Sequence, residues 1–254
     1  MRTRWLKGVL ASSTLLLLGA PAVNAALYTG NGQGSGVVGN GTLQLTDDAT
    51  RIYGTFTKGG GSFDRYLVIY FDTQPGGFSG TSSFADTTSD ITKSISGVGT
   101  VGRSVANFAP GFTADYALAF TGELYLGGQL YRLASGGEGS LEHVASINQS
   151  PVNSVNEASY TFRINWSDLG LTSGSGFRFQ STYLNPTGYR YLDSFETLTG
   201  TAGVSTIDFT DFNVYGTPVP EPAQVALAIF GAGFVTVGVV RRAIRSGRKT
   251  RAGS

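Results

Sequence analysis

The stretch Ser159-Tyr-Thr-Phe-Arg-Ile-Asn-Trp166 decides the fold class that this sequence predicts. Aromatic and aliphatic side chains occupy every second position, and polar side chains fill the positions between them. A β-strand places residues two apart on one face, whereas a helix does so for residues three and four apart. The stretch therefore predicts a strand with one face toward a core and the other toward water.

Other short segments have the same strand character. Residues 51–57 alternate in the same way, and residues 65–71 form a continuous β-branched and aromatic run, which is typical of a central strand buried on both faces. Strand-like segments also occur at 97–108, 114–120, 141–145, 177–183 and 207–215. No stretch of about ten residues in the body of the chain has helical periodicity. About nine to eleven short strands indicate an all-β fold, an antiparallel two-sheet β-sandwich of jelly-roll-like kind.

Three local predictions accompany this fold. Residues 123–126 and 129–133 flank Gly127-Gly128, which predicts a two-residue hairpin. Residues 167–171 predict one helical turn capped by Ser167. The glycine-rich residues 27–41 leave two alternatives open, an ordered strand interrupted by turns or a flexible lead-in.

The first 25 residues have the pattern of a secretory signal peptide. A basic start is followed by an apolar core and by Val23-Asn24-Ala25, the small residues that a signal peptidase recognises. An uncleaved membrane anchor is the alternative, which the shortness of the apolar core disfavours. Residues 26–217 then form one β-sandwich domain, since no linker or repeat divides them.

Charge and composition exclude several classes of function. Nine of the 18 basic residues lie near the two ends, so residues 26–217 carry nine basic side chains against 16 acidic ones. Nucleic acids need clustered Lys and Arg, so this acidic body predicts no nucleic-acid partner. The absence of cysteine excludes thiolate chemistry and cysteine zinc sites, and His143, the single histidine, leaves no pair of histidine metal ligands.

Residues 218–249 form a separate C-terminal segment. Residues 223–240 contain no charge and are about as long as a bilayer is thick when helical, which predicts a transmembrane helix. Arg241, Arg242 and Arg245 follow at once, so the C-terminus is expected in the cytoplasm and the body outside. This basic cluster argues against the alternative of a buried core helix.

The order of Pro220-Glu221-Pro222, the apolar span and the arginines resembles the PEP-CTERM sorting signal of Gram-negative bacteria. The resemblance implies that Pro220, Glu221 and Pro222 are the motif that an exosortase recognises, and that the helix tethers the precursor to the inner membrane until the tail is removed. It also implies a mature protein at the cell surface or in the extracellular matrix, in bacteria that produce exopolysaccharide and form biofilm.

The body resembles DOMON-like sandwiches and the related family-nine carbohydrate-binding modules. The resemblance rests on residues 64–72 with Pro-Gly-Gly at 75–77, on 114–120, and on 160–166 with Asp-Leu-Gly at 168–170. It implies a β-sandwich and sugar binding. Haem-binding members use Met or His ligands, and a Met–His pair is lacking here because the only Met is the initiator.

Sugar binding needs flat aromatic faces beside fixed polar groups. The loop around residues 183–193 offers both, and the predicted ligand-binding residues are Trp166, Tyr183, Asn185, Tyr189, Arg190 and Tyr191. For Trp166 and Tyr183 the alternative is a place in the core, because their strands alternate correctly for it. For Tyr189 and Tyr191 core and ligand edge are equally open.

Cofactors and catalysis are predicted to be absent, with calcium as a candidate. Asp64 and Asp72, together with Asp86 and Asp90, lie in or near loops, where calcium finds oxygen ligands and where aspartates also cap turns. The sequence has no nucleophile elbow, phosphate loop or zinc signature. It therefore predicts a non-catalytic exopolysaccharide-binding or matrix protein. The alternatives are a structural protein that self-associates through strand edges and a glycan hydrolase.

Overall fold

A computed structural model describes residues 24–216, apart from 35, 100–101, 124, 126, 185–190 and 200–205. The predicted sorting motif, the span 223–240, the basic cluster and all of the leader before residue 24 lie outside the described residues. No helix among the described residues has the length and apolar character needed to cross a membrane.

The described residues form the strands and the α-helix listed here. They are β1 (Ala25–Thr29), β2 (Thr42–Asp47), β3 (Arg51–Thr57), β4 (Tyr66–Asp72), α1 (Asp90–Ser96), β5 (Val98–Gly99), β6 (Gly102–Arg103), β7 (Val105–Asn107), β8 (Tyr116–Phe120), β9 (Gly128–Arg132), β10 (Glu142–Ile147), β11 (Ser159–Asn165), β12 (Phe177–Leu184), β13 (Tyr191–Asp193), β14 (Leu198–Thr199), β15 (Thr206–Phe209) and β16 (Asn213–Tyr215). Short 3-10 helices cover Thr81–Ser83 and Trp166–Leu169.

A four-stranded antiparallel sheet forms one layer, in the order β1-β2-β3-β11. In β11 the side chains of Tyr160, Phe162 and Ile164 are buried, while Thr161 and Arg163 are exposed. The alternation that the sequence predicted is therefore confirmed, and the apolar face of this small sheet points into the molecule.

A seven-stranded sheet faces the small sheet, in the order β10-β9-β8-β4-β12-β13, with β16 also paired to β12. All seven residues of β4 are buried. The strand lies between β8 and β12 and pairs with both in antiparallel register. The prediction of a central strand buried on both faces is confirmed, and so is the all-β class with antiparallel sheets.

The seven-stranded sheet carries a core on each of its two faces. Leu67, Ile69 and Phe71 pack into the core shared with the small sheet. Val68 and Tyr70 point the other way, into a second core covered by α1, β7 and the strand β15, which runs parallel to β7. This second cover was not predicted, because α1 is only seven residues long and too short to show a helical period.

The predicted hairpin at Gly127-Gly128 is wrong. Glu123 lies in a turn and Tyr125 in a bend, and β9 pairs with β8 and β10. Gly127 still marks a change of direction, since its φ is +74°, but it lies directly before β9, whose first residue is Gly128. β8 pairs with β4 along one edge and with β9 along the other, so β9 is the next strand of the same sheet.

Two other local predictions need correction. The helical turn begins at Trp166, with Asn165 and not Ser167 at the cap position, because the Trp166 amide donates to the Thr50 carbonyl (3.1 Å) at the end of β11. The predicted strand 207–215 is two strands in different sheets, β15 and β16. Asp211 lies between them, in an irregular segment, and accepts a hydrogen bond from the Thr197 amide at 2.9 Å.

The glycine-rich N-terminal region is ordered in the described residues. β1 begins at Ala25, and the Asn24 amide donates to Asp47 Oδ1 at 2.7 Å. The Tyr215 hydroxyl donates to the Asn24 carbonyl oxygen at 3.0 Å. In the uncleaved chain the first and last described strands are thus joined through Asn24, which belongs to the predicted signal peptide.

Gly54 of the small sheet lies against an aromatic ring of the core. This residue pairs with Phe162 across β3 and β11, and a Cβ atom at Gly54 would lie 2.1 Å from the Phe162 ring. The aromatic ring fills the space that a side chain would occupy, which explains a glycine in the middle of a strand.

We expect Gly54→Ala to destabilise the protein by roughly 1–3 kcal/mol, the usual cost of forcing an extra methyl into a packed core. The measurement is the free energy of unfolding in urea. Gly60→Ala is the matched control, because nothing lies within 4 Å of a Cβ atom there and the residue is exposed. Equal stability of the two variants would contradict this account of the packing.

Candidate functional site

The outward face of the small sheet carries a row of cross-strand pairs. Tyr53 lies opposite Arg163, and Thr55 lies opposite Thr161. Paired residues of antiparallel strands project from the same face with their Cβ atoms close together. The sheet therefore presents an aromatic ring, a guanidinium group and two hydroxyls side by side.

The segment after β10 turns this face into a groove. The Ser150 amide donates to the Thr161 carbonyl at 2.9 Å, and the Thr161 amide donates to the Ser150 carbonyl at 2.7 Å. The segment therefore runs along the edge of β11 and forms a wall. The resulting concavity, here called the Tyr53 groove, has a volume of about 320 Å³ and is lined by Tyr53, Thr55, Asn148, Ser150, Thr161 and Arg163.

The Tyr53 ring is both exposed and fixed. Its relative exposure is 37%, and its hydroxyl donates to Asp48 Oδ2 at 2.7 Å. Asp48 Oδ1 accepts from the Thr50 amide, the Thr50 hydroxyl and the Arg51 amide at 2.7–2.8 Å. A ring held in this way loses little conformational freedom when a ligand packs on it.

These hydrogen bonds also shift the pKa values of Asp48 and Tyr53. The hydrogen bond from Tyr53, with those from Thr50, lowers the pKa of Asp48. The same bond, followed by desolvation of the phenol and then by the proximity of the Asp48 charge, raises the pKa of Tyr53. Tyr53 is therefore a protonated donor to a charged carboxylate at neutral pH.

Arg163 makes no ion pair with any carboxylate of the described residues. The neighbouring Arg51 instead uses its Nε to donate to Asn165 Oδ1 at 3.3 Å. The Arg163 guanidinium is consequently available to a ligand. With the Tyr53 ring and the hydroxyls of Thr55 and Thr161, it can hold a polar molecule that has an apolar face.

Two of the predicted ligand residues lie in the core. Trp166 is 2% exposed and Tyr183 is 1% exposed. The Trp166 indole N–H donates to the Asp48 carbonyl at 3.0 Å, and the Tyr183 hydroxyl faces the Ser62 carbonyl at 3.3 Å. Neither ring can stack on a ligand at the surface, so this part of the prediction is wrong. The physical reason is strand alternation, which turns both side chains inward.

The other predicted ligand residues cannot be placed in the same way. Asn185, Tyr189 and Arg190 lie outside the described residues. The backbone of Tyr191 belongs to β13 and pairs with Leu184 of β12. The loop therefore remains a prediction, and the Tyr53 groove is the aromatic site that the described residues define.

The two calcium candidates lie at opposite ends of β4. Since a strand rises about 3.3 Å per residue, Asp64 and Asp72 are on the order of 20 Å apart and cannot share one ion. Asp72 Oδ2 lies 3.2 Å from the guanidinium of Arg178. Burial raises the pKa of Asp72 to about 6, although the Thr113 amide and Arg178 oppose the shift. Asp64 Oδ1 faces Arg65 at 3.7 Å.

Asp86 and Asp90 have structural partners as well. Asp86 accepts from the Thr88 amide (2.9 Å) and the Leu141 amide (3.0 Å), and Asp90 pairs with Lys93 at 3.0 Å in α1. Within the described residues no group of three or more His, Asp or Glu side chains is arranged to hold a metal ion. Asp86 therefore caps a turn, whereas Asp90 lies in the first turn of α1, whose cap residue is Ser89. The calcium site stays a prediction.

Comparison with known proteins adds no relative. The sequence matches no known protein family, no curated protein and no solved structure. The resemblances drawn from short motifs therefore remain expectations, and the groove has to be interpreted from its own chemistry.

The sequence contained a signal for the groove. The alternation of residues 51–57 places Tyr53 and Thr55 on the face opposite Ile52 and Phe56. An aromatic residue on the polar face of a strand is a candidate for binding, whereas Trp166 directly follows β11 and is buried in the core. Tyr53 is absent from the predicted ligand residues because most of those are aromatic and polar residues concentrated in one loop.

We expect the Tyr53 phenol to titrate above its ordinary value near 10, and to return toward that value in Asp48→Ala, because the hydrogen bond to the carboxylate favours the protonated phenol. NMR of the tyrosine Cζ carbon during a pH titration measures this. Asp168→Ala is the control, since Asp168 bonds Asn165 instead. An unchanged Tyr53 titration in Asp48→Ala would show that the ring is not held as described.

Proposed function

We propose that this protein is an exported cell-surface or extracellular-matrix protein that binds exopolysaccharide at the Tyr53 groove without converting it chemically. The observation that carries the proposal is the exposed Tyr53 ring, fixed by Asp48 beside the Arg163 guanidinium, which lacks an ion-pair partner among the described residues. The jelly-roll-like character of the sandwich belongs to the same proposal.

The chemistry of the groove suits a sugar. A pyranose ring has an apolar face of C–H groups and a rim of hydroxyls, so it needs a flat apolar surface with donors and acceptors around it. Tyr53 supplies the surface, Arg163 supplies donors, and Thr55, Thr161 and Ser150 supply hydroxyls. The groove residues include neither a carboxylate pair nor a nucleophile with a base, which favours binding over hydrolysis.

The charge of the body limits the kind of polymer. Residues 26–217 carry nine basic and 16 acidic side chains, so the body as a whole repels a densely anionic chain. Arg163 offers one local cation in the groove. A neutral or sparsely charged polysaccharide is therefore the proposed ligand.

Export and maturation complete the proposal. Signal peptidase would remove the leader, the span 223–240 would tether the precursor to the inner membrane, and an exosortase would cut at Pro220-Glu221-Pro222. The mature body would then act at the surface or in the matrix of a Gram-negative bacterium. The sequence pattern of the tail supports this part of the proposal.

We expect the mature protein from its native host to lack Arg241, Arg242 and Arg245, because the cut at the Pro-Glu-Pro motif removes everything after it. Intact-mass spectrometry of the surface and matrix fractions measures this. A variant with Pro220 and Pro222 replaced by Ala should accumulate in the inner membrane with its tail. Recovery of tailed wild-type protein as the main species would disprove the maturation step.

A second candidate is a structural protein that self-associates. β1 is an edge strand of the small sheet, and Leu27 on it is 65% exposed. An exposed edge with an apolar side chain can pair with another copy. This alternative requires assembly of the full chain in the absence of glycan, whereas polysaccharide binding by a monomer does not.

We expect Tyr53→Ala and Arg163→Gln each to weaken retention on the host's exopolysaccharide by about tenfold. The reason is that a lost aromatic contact, or a lost hydrogen bond to a charged group, costs roughly 1–2 kcal/mol. Affinity electrophoresis of the full chain in gels containing the polysaccharide measures the change. Tyr125→Ala is the matched control, because Tyr125 is 74% exposed outside the groove.

A combined Tyr189→Ala and Tyr191→Ala variant tests the loop that the sequence predicted. Loss of retention in this variant alone would place the binding edge in the loop and overturn the groove. Unchanged retention in Tyr53→Ala, in Arg163→Gln and in the combined loop variant would overturn glycan binding at either place. Release of sugar products during the assay would identify the third alternative, a hydrolase.

A further inference from the structure

We propose that a second cavity, at the end of the seven-stranded sheet, binds a single neutral sugar unit through adjacent hydroxyl groups. This cavity, here called the Asp115 cleft, has a volume of about 270 Å³, and the residues that carry the proposal are Gln74, Gly77, Asp115, Tyr116 and Arg132. It shares no residue with the Tyr53 groove. This proposal rests on the proposed function only in its class of ligand, a sugar.

The fold fixes Asp115 by one of its two oxygens. Oδ2 accepts from the Thr73 amide at 2.8 Å, the Gln74 amide at 2.9 Å and the Thr73 hydroxyl at 3.2 Å. These donors lie in the turn that ends β4, so the turn and the carboxylate hold each other. Oδ1 accepts no hydrogen bond within the described part of the chain, and it is the oxygen that a ligand can use.

Gly77 keeps that oxygen open. A Cβ atom at this position would lie 2.9 Å from Asp115 Oδ1. Gly77 also has φ +93°, a conformation that other residues rarely adopt. The glycine is therefore needed for the turn and at the same time leaves room for a ligand atom beside the carboxylate.

Arg132 supplies donors on the same face. It pairs directly with Tyr116 across β8 and β9, so the two side chains project from one side of the sheet. Burial raises the pKa of Asp115, and the hydrogen bonds from Thr73 and Gln74 and then the charge of Arg132 oppose this shift. Within the described residues Asp115 and Arg132 nevertheless form no ion pair at 4.0 Å or less. The gap leaves space for a ligand group between cation and carboxylate.

Two further polar groups border the cleft. A Cβ atom on Gly170 would lie 2.6 Å from Gln74 Nε2 and 3.3 Å from the Tyr116 hydroxyl, so the amide and the phenol lie near one point. The cleft thus presents an acceptor at Asp115, donors at Arg132 and groups of both kinds at Gln74 and Tyr116.

The charge pattern decides the class of ligand. A cation would be attracted by Asp115 but repelled by Arg132, and an anion would be attracted by Arg132 but repelled by Asp115. The favourable and unfavourable electrostatic energies oppose each other in both cases. Calcium in addition needs six or more oxygens, which one carboxylate does not supply. Adjacent hydroxyls on a neutral sugar can donate to Asp115 Oδ1 and accept from Arg132 at once. The volume is near the lower limit of ligand pockets and suits one sugar ring.

The test uses the full-length chain and saturation-transfer NMR with methyl glycosides of neutral hexoses and with the matching hexuronic acids. We expect at least one neutral hexose to bind, and its affinity to fall at least tenfold in Asp115→Asn and in Arg132→Met. The amide introduced by Asp115→Asn retains an oxygen for the Thr73 and Gln74 amides, and Arg132 is exposed, so both variants should fold. Glu138→Gln at an exposed position is the matched control for loss of a carboxylate.

Binding of no neutral hexose at millimolar concentration would overturn the proposal, and so would binding of hexuronic acids alone. Hexose binding that is lost in Tyr53→Ala but unchanged in Asp115→Asn would assign the sugar to the groove and overturn the cleft. Failure of the groove is measured separately, by polysaccharide retention in the Tyr53 and Arg163 variants. Thermal unfolding of each variant separates loss of binding from loss of the fold.

Discussion

The structure depends on the need to cover both faces of the central strand β4. Alternate side chains of this strand enter two different cores, and all seven of its residues are buried. Each large apolar side chain buried in this way contributes roughly 1.5–3 kcal/mol relative to exposure. A single opposing sheet could satisfy only one face. The small sheet covers one side, and α1 with β7 and β15 covers the other.

Covering a sheet on both sides also buries polar groups near its edge, and Glu196 is one that is fully paired. Glu196 is buried beside β12, where its Oε2 accepts from the Ser181 amide and hydroxyl at 2.8 Å and its Oε1 accepts from Asn213 Nδ2 at 2.8 Å. Burial raises the pKa of Glu196 to about 7 against these hydrogen bonds. The carboxylate thereby connects the segment after β13 to β12 and β16. The backbone pairings of β13 and β16 with β12 cover only two or three residues each.

The sequence was sufficient where a pattern is local. The alternation in β11 and the unbroken apolar run of β4 predicted both strands and their burial, because side-chain direction in a strand follows from position alone. The sequence was insufficient where two segments could pair with the same strand. Two segments before Gly127 could pair with β9, namely residues 123–126 and β8. The structure pairs β9 with β8, which also pairs with β4, a strand much earlier in the chain.

The same distinction applies to the site. The alternation of β3 already assigned Tyr53 to the polar face, but the hydrogen bond that fixes its ring comes from Asp48 in the preceding turn. The wall of the groove comes from Ser150, which reaches β11 through a bridge between segments that flank a loop. The Asp115 cleft likewise joins the ends of three strands. Which residues from separate segments line one site depends on the order of strands in the sheet, and composition and motif spacing do not specify that order.

Trp166 shows how core and surface are connected in this fold. Its indole N–H donates to the Asp48 carbonyl, while the Asp48 carboxylate accepts from Tyr53. A buried aromatic thus supports the turn that holds an exposed one. Because the turn is fixed from the core side, the ring does not have to be ordered when a ligand arrives, and that part of the entropic cost of binding is met during folding. The same reasoning holds for Asp115, whose turn is fixed by Thr73 and Gln74 before any ligand contacts Oδ1.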